Sequence, residues 1–219
     1  MIKIQEYDFF IFDCDGVILN SNSIKNFAFR LTLKNENKDL VDSFIKYHKE
    51  NGGISRYEKF QHFFKNMKKS NNYKREVSEA LERFSTILKI DLINAEYVPG
   101  ILNFLNEIKK IKKNIYIVSG GDEKELEFVF NARGISHFFK NIYGSPTEKN
   151  KNTLFVLKNY SKKSKGVFFG DSKIDFKCAI NNNLDFVFVK KFSEWKNFSR
   201  YQDRFLCITN DFIEQKYKK

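Results

Sequence analysis

The residues Asp13-Cys14-Asp15-Gly16-Val17 follow directly on the apolar run Phe9-Phe10-Ile11-Phe12. In an extended segment the side chains at i and i+2 share a face, so Asp13 and Asp15 present their carboxylates to one spot at a strand's end. Such a pair repels itself, which raises one pKa unless a cation intervenes; a divalent metal resolves the conflict and leaves one oxygen nucleophilic. Taken alone, the stretch also reads as a turn after a strand, because Asp and Gly are common turn residues. Cys14 lies between the aspartates, where alternation turns it to the opposite face as a packing residue. Further along come Ser119-Gly120-Gly121, Lys149 with Lys151 close behind it, and Gly170-Asp171-Ser172-Lys173-Ile174-Asp175. Each group alone has a bland explanation: a strand-to-helix turn, a solvated lysine, a helix cap.

Their placement gives them weight. Short apolar runs at 9–12, 115–118, 167–169 and 186–189 read as buried strands, each followed by polar or glycine-containing residues. Helical patterns lie between the later ones. Residues 101–111 follow Pro99-Gly100 with helical apolar spacing, and 126–132 follow Asp122, an N-cap with Glu125 three residues on and Gly134 at the stop. This alternation predicts a parallel sheet covered on both faces. In such a sheet ligands bind outside the carboxyl ends of the strands, so one crevice should receive Asp13, Asp15, Ser119, Gly120, Gly121, Asp171 and Asp175. Residues 21–95 break the rhythm, with amphipathic patterns at 24–33, 40–47, 57–64 and 77–88 and no convincing strand. We therefore expect a helical second domain over 18–95, carried by an α/β core of residues 1–17 and 96–219.

Composition narrows the class. A chain of 219 residues, 42% of them hydrophobic, buries a sizeable core, and its two prolines leave no flexible linker. There is no cationic, apolar leader pattern and no run long enough to span a bilayer. Three cysteines without metal-like spacing suit a reducing compartment, so a cytoplasmic location is expected. The net charge of +12 points on its face to polyanionic partners. The lysines are nevertheless spread over the whole chain, which AT-rich codon usage explains, and an anionic small substrate fits equally well. His48, His62 and His137 show no paired metal spacing and read as surface or packing residues.

Asp13-x-Asp15-Gly-Val, Ser119 after an apolar strand, Lys149 and Gly170-Asp171-Ser172-x-x-Asp175, in that order, resemble the haloacid dehalogenase superfamily, in particular members with a helical cap between the first two motifs. The resemblance covers essentially the whole chain and implies a Rossmann-like core, phosphoryl chemistry and bound Mg2+. Phosphoryl transfer needs an in-line nucleophile, neutralised charge and a proton for the leaving oxygen. Asp13 is the expected nucleophile, forming an aspartyl-phosphate, and Asp15 the acid and then the base. The metal would be held by Asp13, by the backbone carbonyl of Asp15 that the resemblance implies, and by Asp171, with Asp175 reaching it directly or through water; all-oxygen ligation selects magnesium. Ser119, the amides of Gly120 and Gly121, and Lys149 would bind the phosphate.

Within the superfamily, Gly52-Gly53-Ile54-Ser55-Arg56 is similar to the specificity loop of β-phosphoglucomutase-like members, which would set Arg56 at the substrate's distal anionic end. Two positions depart from the mutase pattern. Asn20-Ser21 stands where Asp-Thr or Asp-Ser is usual, with Lys25 near the place of a histidine, and Gly170-Asp171-Ser172 replaces Glu-Asp-Ser and is similar to phosphoglycolate phosphatase. The expectation is a phosphatase of a small phosphorylated metabolite, a sugar phosphate or a phosphoglycolate-like acid, with Arg56 and Lys25 contacting the substrate. A phosphosugar mutase is the alternative. A basic nucleic-acid-binding protein is the non-enzymatic one, disfavoured because the carboxylates repel a phosphate backbone unless metal is bound.

Overall fold

The computed structural model describes residues 2–213. Six parallel strands, β1 (Phe9–Phe12), β2 (Asn114–Asp122), β3 (Asn141–Ser145), β4 (Gly166–Gly170), β5 (Asp185–Val189) and β6 (Cys207–Thr209), form one sheet in the order β3-β2-β1-β4-β5-β6. The chain leaves β1 toward β2 on one side and later returns to β4 on the other, so strand order reverses at β1. A crevice opens at such a point, beyond the strand ends.

Every residue of β1 is buried, which is why the segment is uniformly apolar rather than alternating. Its side chains still divide by the two-residue period. Phe10 and Phe12 enter one apolar cluster, and Phe9 and Ile11 the other. In β2, Ile115 and Ile117 divide from Tyr116 and Val118 in the same way. The first cluster is closed by Phe104 and Leu105 of α5 (Ile101–Lys110) and Leu126 and Phe130 of α6 (Glu123–Ala132). The second is closed by Val156 of α7 (Lys149–Leu157) and by Phe176 and Ala179 of α8 (Lys173–Asn181). The sheet is thus covered on both faces, as the alternation of strands and helices predicts.

Between β1 and α5 run α1 (Asn22–Thr32), α2 (Lys38–Glu50), α3 (Arg56–Gln61) and α4 (Tyr73–Asn94). Phe29, Phe44, Phe60, Phe63 and Phe84 pack ring against ring among them. Buried aromatics contribute large apolar areas and well-defined edge and stacked contacts, which lets a short helical segment hold its own centre. The helix expected over 57–64 ends earlier than its apolar pattern: α3 passes at His62 into a wider turn, His62–Met67.

Two further differences from the sequence reading concern β3 and β6, which the apolar runs do not reveal. Both are edge strands. β3 reads Asn-Ile-Tyr-Gly-Ser and β6 is three residues long, so neither needs the continuous apolar composition of a strand covered on both faces. β2 also runs on past the apolar run 115–118 through Ser119, Gly120 and Gly121 to Asp122, with a register irregularity against β3. No helix among the described residues is long and apolar enough to cross a membrane. Cys14, Cys178 and Cys207 are free thiols.

Candidate active site

The Asp13 amide donates to the Phe169 carbonyl at 2.9 Å, so the pairing of β1 with β4 continues one residue past the strand and fixes where the Asp13 carboxylate emerges. That carboxylate is 3% exposed. Its Oδ1 accepts from the Cys14 amide at 2.7 Å and lies 3.0 Å from Lys149 Nζ. Asp15 has a different environment. Its Oδ1 accepts from Ser21 Oγ at 2.5 Å and its Oδ2 pairs with Lys25 Nζ. Cys14 is buried in the apolar cluster on the other side, as alternation predicts.

Gly16 turns the chain with φ +72°, and a Cβ there would sit 2.3 Å from Asp171 Oδ2. The position therefore needs glycine twice over, for its backbone angle and for the carboxylate beside it. We expect Gly16→Ala to cost about 1 kcal/mol or more of stability and, by displacing Asp171, to cut activity by a larger factor than that strain explains. Urea denaturation beside a phosphate-release assay checks both.

Of the remaining predicted residues, Gly120 and Asp171 line the same cleft, Lys149 and Asp175 lie beside Asp13 in the interior, and Ser119 is within β2. Ser119 is fully buried, and its Oγ accepts from the Gly121 amide at 3.1 Å, which leaves the hydroxyl hydrogen available as a donor. A Cβ on Gly120 would meet the Gly53 carbonyl at 2.4 Å, so the loop before α3 rests directly on β2. Lys149 opens α7 in the interior, with Nζ 2.5 Å from Asp175 Oδ1 as well as near Asp13. Lys151, the competing lysine, is exposed and 3.8 Å from Glu148. Asp171 Oδ2 accepts from Asn22 Nδ2 at 2.8 Å, linking the end of β4 to the start of α1. Asp175 is fully buried and forms a capping box with Ser172, accepting from its amide at 3.0 Å and its hydroxyl at 2.7 Å.

Asp13, Asp171 and Asp175 bring carboxylate oxygens within 4.8 Å of one another. Burial, then the charge on Asp175, push Asp13 up to about 7 against the pull of Lys149. Burial, then the charges on Asp13 and Asp175, push Asp171 well above the usual carboxylate range. Asp15 moves the other way: burial alone would raise it, but the Lys25 ammonium and the hydrogen bonds from Lys25 and Ser21 hold it low. Lys149 is likewise raised, its burial outweighed by Asp13 and Asp175. Four carboxylates thus have only two ammonium groups in ion-pairing contact among the described residues, and Asp13 and Asp171 carry the cost of that imbalance. A divalent cation fits this deficit, and an all-oxygen donor set suits magnesium.

Arg56 has a partner the sequence did not suggest. It is the first residue of α3 and its guanidinium is buried, bonded in two-pronged fashion to Glu125 of α6, Nη1 to Oε2 at 3.0 Å and Nη2 to Oε1. Nη1 also donates to Ser85 Oγ at 3.1 Å, and the guanidinium lies 4.7 Å from the centre of the Phe84 ring. Beside it the Tyr57 hydroxyl donates to Asp122 at 2.6 Å. Arg56 lines the cleft, but its charge is already met by a carboxylate of the α/β layer. Lys25 does reach the acidic pair, through Asp15. The sequence reading missed Lys59, which lines the same cleft 2.8 Å from His48. His48 packs against Phe29, in keeping with a packing role, while Lys59 carries no sequence mark among so many lysines.

Residues 10–189 match the haloacid dehalogenase-like hydrolase family. The chain belongs to that family. No curated protein sequence matches it. Among solved structures, this haloacid dehalogenase-like hydrolase is similar to a β-phosphoglucomutase from Clostridium difficile, with a TM-score of 0.74 and 21% identity over 96% of this chain and 94% of that one. It is also similar to a predicted phosphoglycolate phosphatase from Haemophilus somnus, with a TM-score of 0.72 and 16% identity over 94% and 95%. A magnesium-bound hydrolase of the same superfamily from Bacillus subtilis aligns with a TM-score of 0.66 and 17% identity over 94% and 95%. At these identities the likeness is one of fold.

Proposed function

We propose that this haloacid dehalogenase-like hydrolase is a magnesium-dependent phosphatase that cleaves a small phosphorylated metabolite through an aspartyl-phosphate. The observation that carries the reading is the unequal treatment of Asp13 and Asp15. Asp13 lies in the acidic cluster against Lys149, whereas Asp15 is held apart by Ser21 and Lys25. Neighbouring carboxylates with opposed environments suit opposed roles.

In the first step an Asp13 oxygen attacks phosphorus, the bond from phosphorus to the ester oxygen breaks, and Asp15 gives its proton to the departing alkoxide. An arriving phosphate dianion opposes the pull of Lys25 and draws that proton onto Asp15 beforehand. In the second step Asp15 takes a proton from water as the water attacks phosphorus, and the bond to Asp13 breaks to release inorganic phosphate and the free carboxylate. Ser119 donates its hydroxyl to a phosphate oxygen, with the Gly120 amide beside it, and Lys149 balances charge between nucleophile and phosphate. Asp13, Asp171 and the backbone carbonyl of Asp15 would hold magnesium, with Asp175 behind them; when bound, the ion would neutralise the phosphate oxygens and keep Asp13 ionised. Residues 18–95 act as a cap over a core of 1–17 and 96–219, excluding water from the acyl phosphate.

Incubation with a panel of phosphate esters and magnesium, with released phosphate measured, tests the reading. No release from any ester would count against it, and conversion of a hexose 1-phosphate to its 6-phosphate would favour the mutase. Magnesium should also stabilise the protein. Ligand at a hundred times its Kd contributes about 2.7 kcal/mol, a rise in Tm of about 5 to 10 °C for a chain of this size. Asp171→Asn should abolish that shift, and an equal shift in the variant would contradict the metal assignment.

A further inference from the structure

Lys59 is 4% exposed, lies in α3 one helical turn beyond Arg56, and lines the cleft that holds Asp13 and Asp15. Its ammonium has no carboxylate within ion-pairing distance among the described residues. Among the described residues the other buried or half-buried cations around these carboxylates are each met, Lys149 by Asp13 and Asp175, Lys25 by Asp15, and Arg56 by Glu125, while Lys173 lines the cleft from an exposed position. Even Lys49 at the rim lies 3.4 Å from Glu194. Lys59 instead bonds His48 Nδ1 at 2.8 Å and sits 5.9 Å from the centre of the Phe29 ring.

His48 cannot neutralise it. Burial, then the charge of Lys59 itself, hold the imidazole well below its ordinary pKa, so the ring is a neutral acceptor. It takes one of the three ammonium hydrogens and leaves the others without a protein partner among the described residues. A buried ammonium with no carboxylate in direct contact is expensive, and burial, with the nearby Lys25, pushes Lys59 down to about 7 against the weaker pull of Asp15 and Glu194. An anion arriving in the cleft would remove that penalty and hold the lysine charged.

We propose that Lys59 recognises a second anionic group on the substrate, so that the ester cleaved carries a carboxylate or another phosphate on its alcohol portion. This rests on the phosphatase reading for the word substrate, but the binding it requires does not depend on turnover. Arg56, which the sequence points to for this task, is committed to Glu125, and Lys59 occupies the same helix with its charge open. A charge-assisted hydrogen bond of this kind corresponds to a preference of about 30-fold.

The test uses the full chain carrying Asp13→Asn, with magnesium, titrated calorimetrically. Phosphoglycolate, 3-phosphoglycerate and glucose 1,6-bisphosphate supply the second anion, the first pair as carboxylate and the last as phosphate. Glycerol 3-phosphate and glucose 1-phosphate lack it. We expect at least one of the first group to bind more tightly than its neutral counterpart, and both Lys59→Met and Lys59→Gln to reduce that ratio by about 30-fold. Each variant places an uncharged side chain at a buried site, so neither threatens the fold. Absence of the preference, or its survival in both variants, overturns the proposal. Lys59-dependent binding without phosphate release by the native chain would sink the phosphatase reading alone, and release without anionic preference would sink the Lys59 proposal alone.

Discussion

Asp13→Asn should leave the protein folded and lower phosphate release by about 10⁴-fold or more, because the amide can neither attack phosphorus nor leave from it. Loss of a nucleophile differs from loss of a binding contact, since kcat falls and no excess of substrate restores it. The same substitution should strengthen the metal-free fold above neutral pH. Asp13 is raised from 3.8 to about 7 in the folded chain, which means that the folded state binds its proton more tightly than the unfolded state does. Stability from this group is therefore present at low pH and is lost as pH rises through that window. The Asn variant carries no such proton, so its stability without magnesium should fall less between those limits. Urea melts across pH in the presence of a chelator measure the difference, and parallel curves for the two proteins would contradict the environment assigned to Asp13.

The second large effect concerns folding rather than chemistry. Arg56 and Glu125 have side chains only 4% and 9% exposed, and they join α3 to α6 across the face where the helical insertion meets the sheet layer. Removing one partner strands the other's charge in the interior, which costs about 3 to 5 kcal/mol. Arg56→Met should accordingly lower Tm by about 10 °C or more for a chain of this size. Arg56→Met with Glu125→Met should recover most of the loss, because a buried pair replaced by apolar side chains of similar size is often neutral. Were Arg56 chiefly a substrate contact, the single variant would raise KM and leave Tm in place. Thermal melts of the single and double variants, read beside KM, separate the two roles.

The acidic residues of the candidate site were legible in the sequence because they stand at strand ends. Asp13, Ser119 and Asp171 follow or lie within segments whose uninterrupted apolar runs announce a strand buried on both faces, and parallel topology then brings them together. Asp175 was legible through its place in Gly170-Asp171-Ser172-x-x-Asp175, and the helix cap that was its bland alternative is present as well, as a capping box with Ser172. The edge strands β3 and β6 were not, because an edge strand needs no such run. The partners of Arg56 and Lys59 were equally hidden. Glu125 is 69 residues from Arg56, and its sequence signal, a cap residue after Asp122, says nothing about facing an arginine in another element. His48 and Lys59 meet across different helices of the insertion, where helical periodicity states which face is apolar but not which polar side chain faces inward. Reaction type is carried by short local motifs in such a fold, whereas substrate choice is carried by tertiary contacts.

The central claim is that Asp13 becomes phosphorylated and then hydrolysed. Rapid acid quench of the native chain during turnover of its best substrate, followed by proteolysis and mass spectrometry, reads this directly. We predict one phosphoryl group on the peptide containing Asp13, removed by hydroxylamine and missing from Asp13→Asn. Release of phosphate at full rate with that peptide unmodified at every quench time, or with the same label on the Asp13→Asn chain, would contradict it.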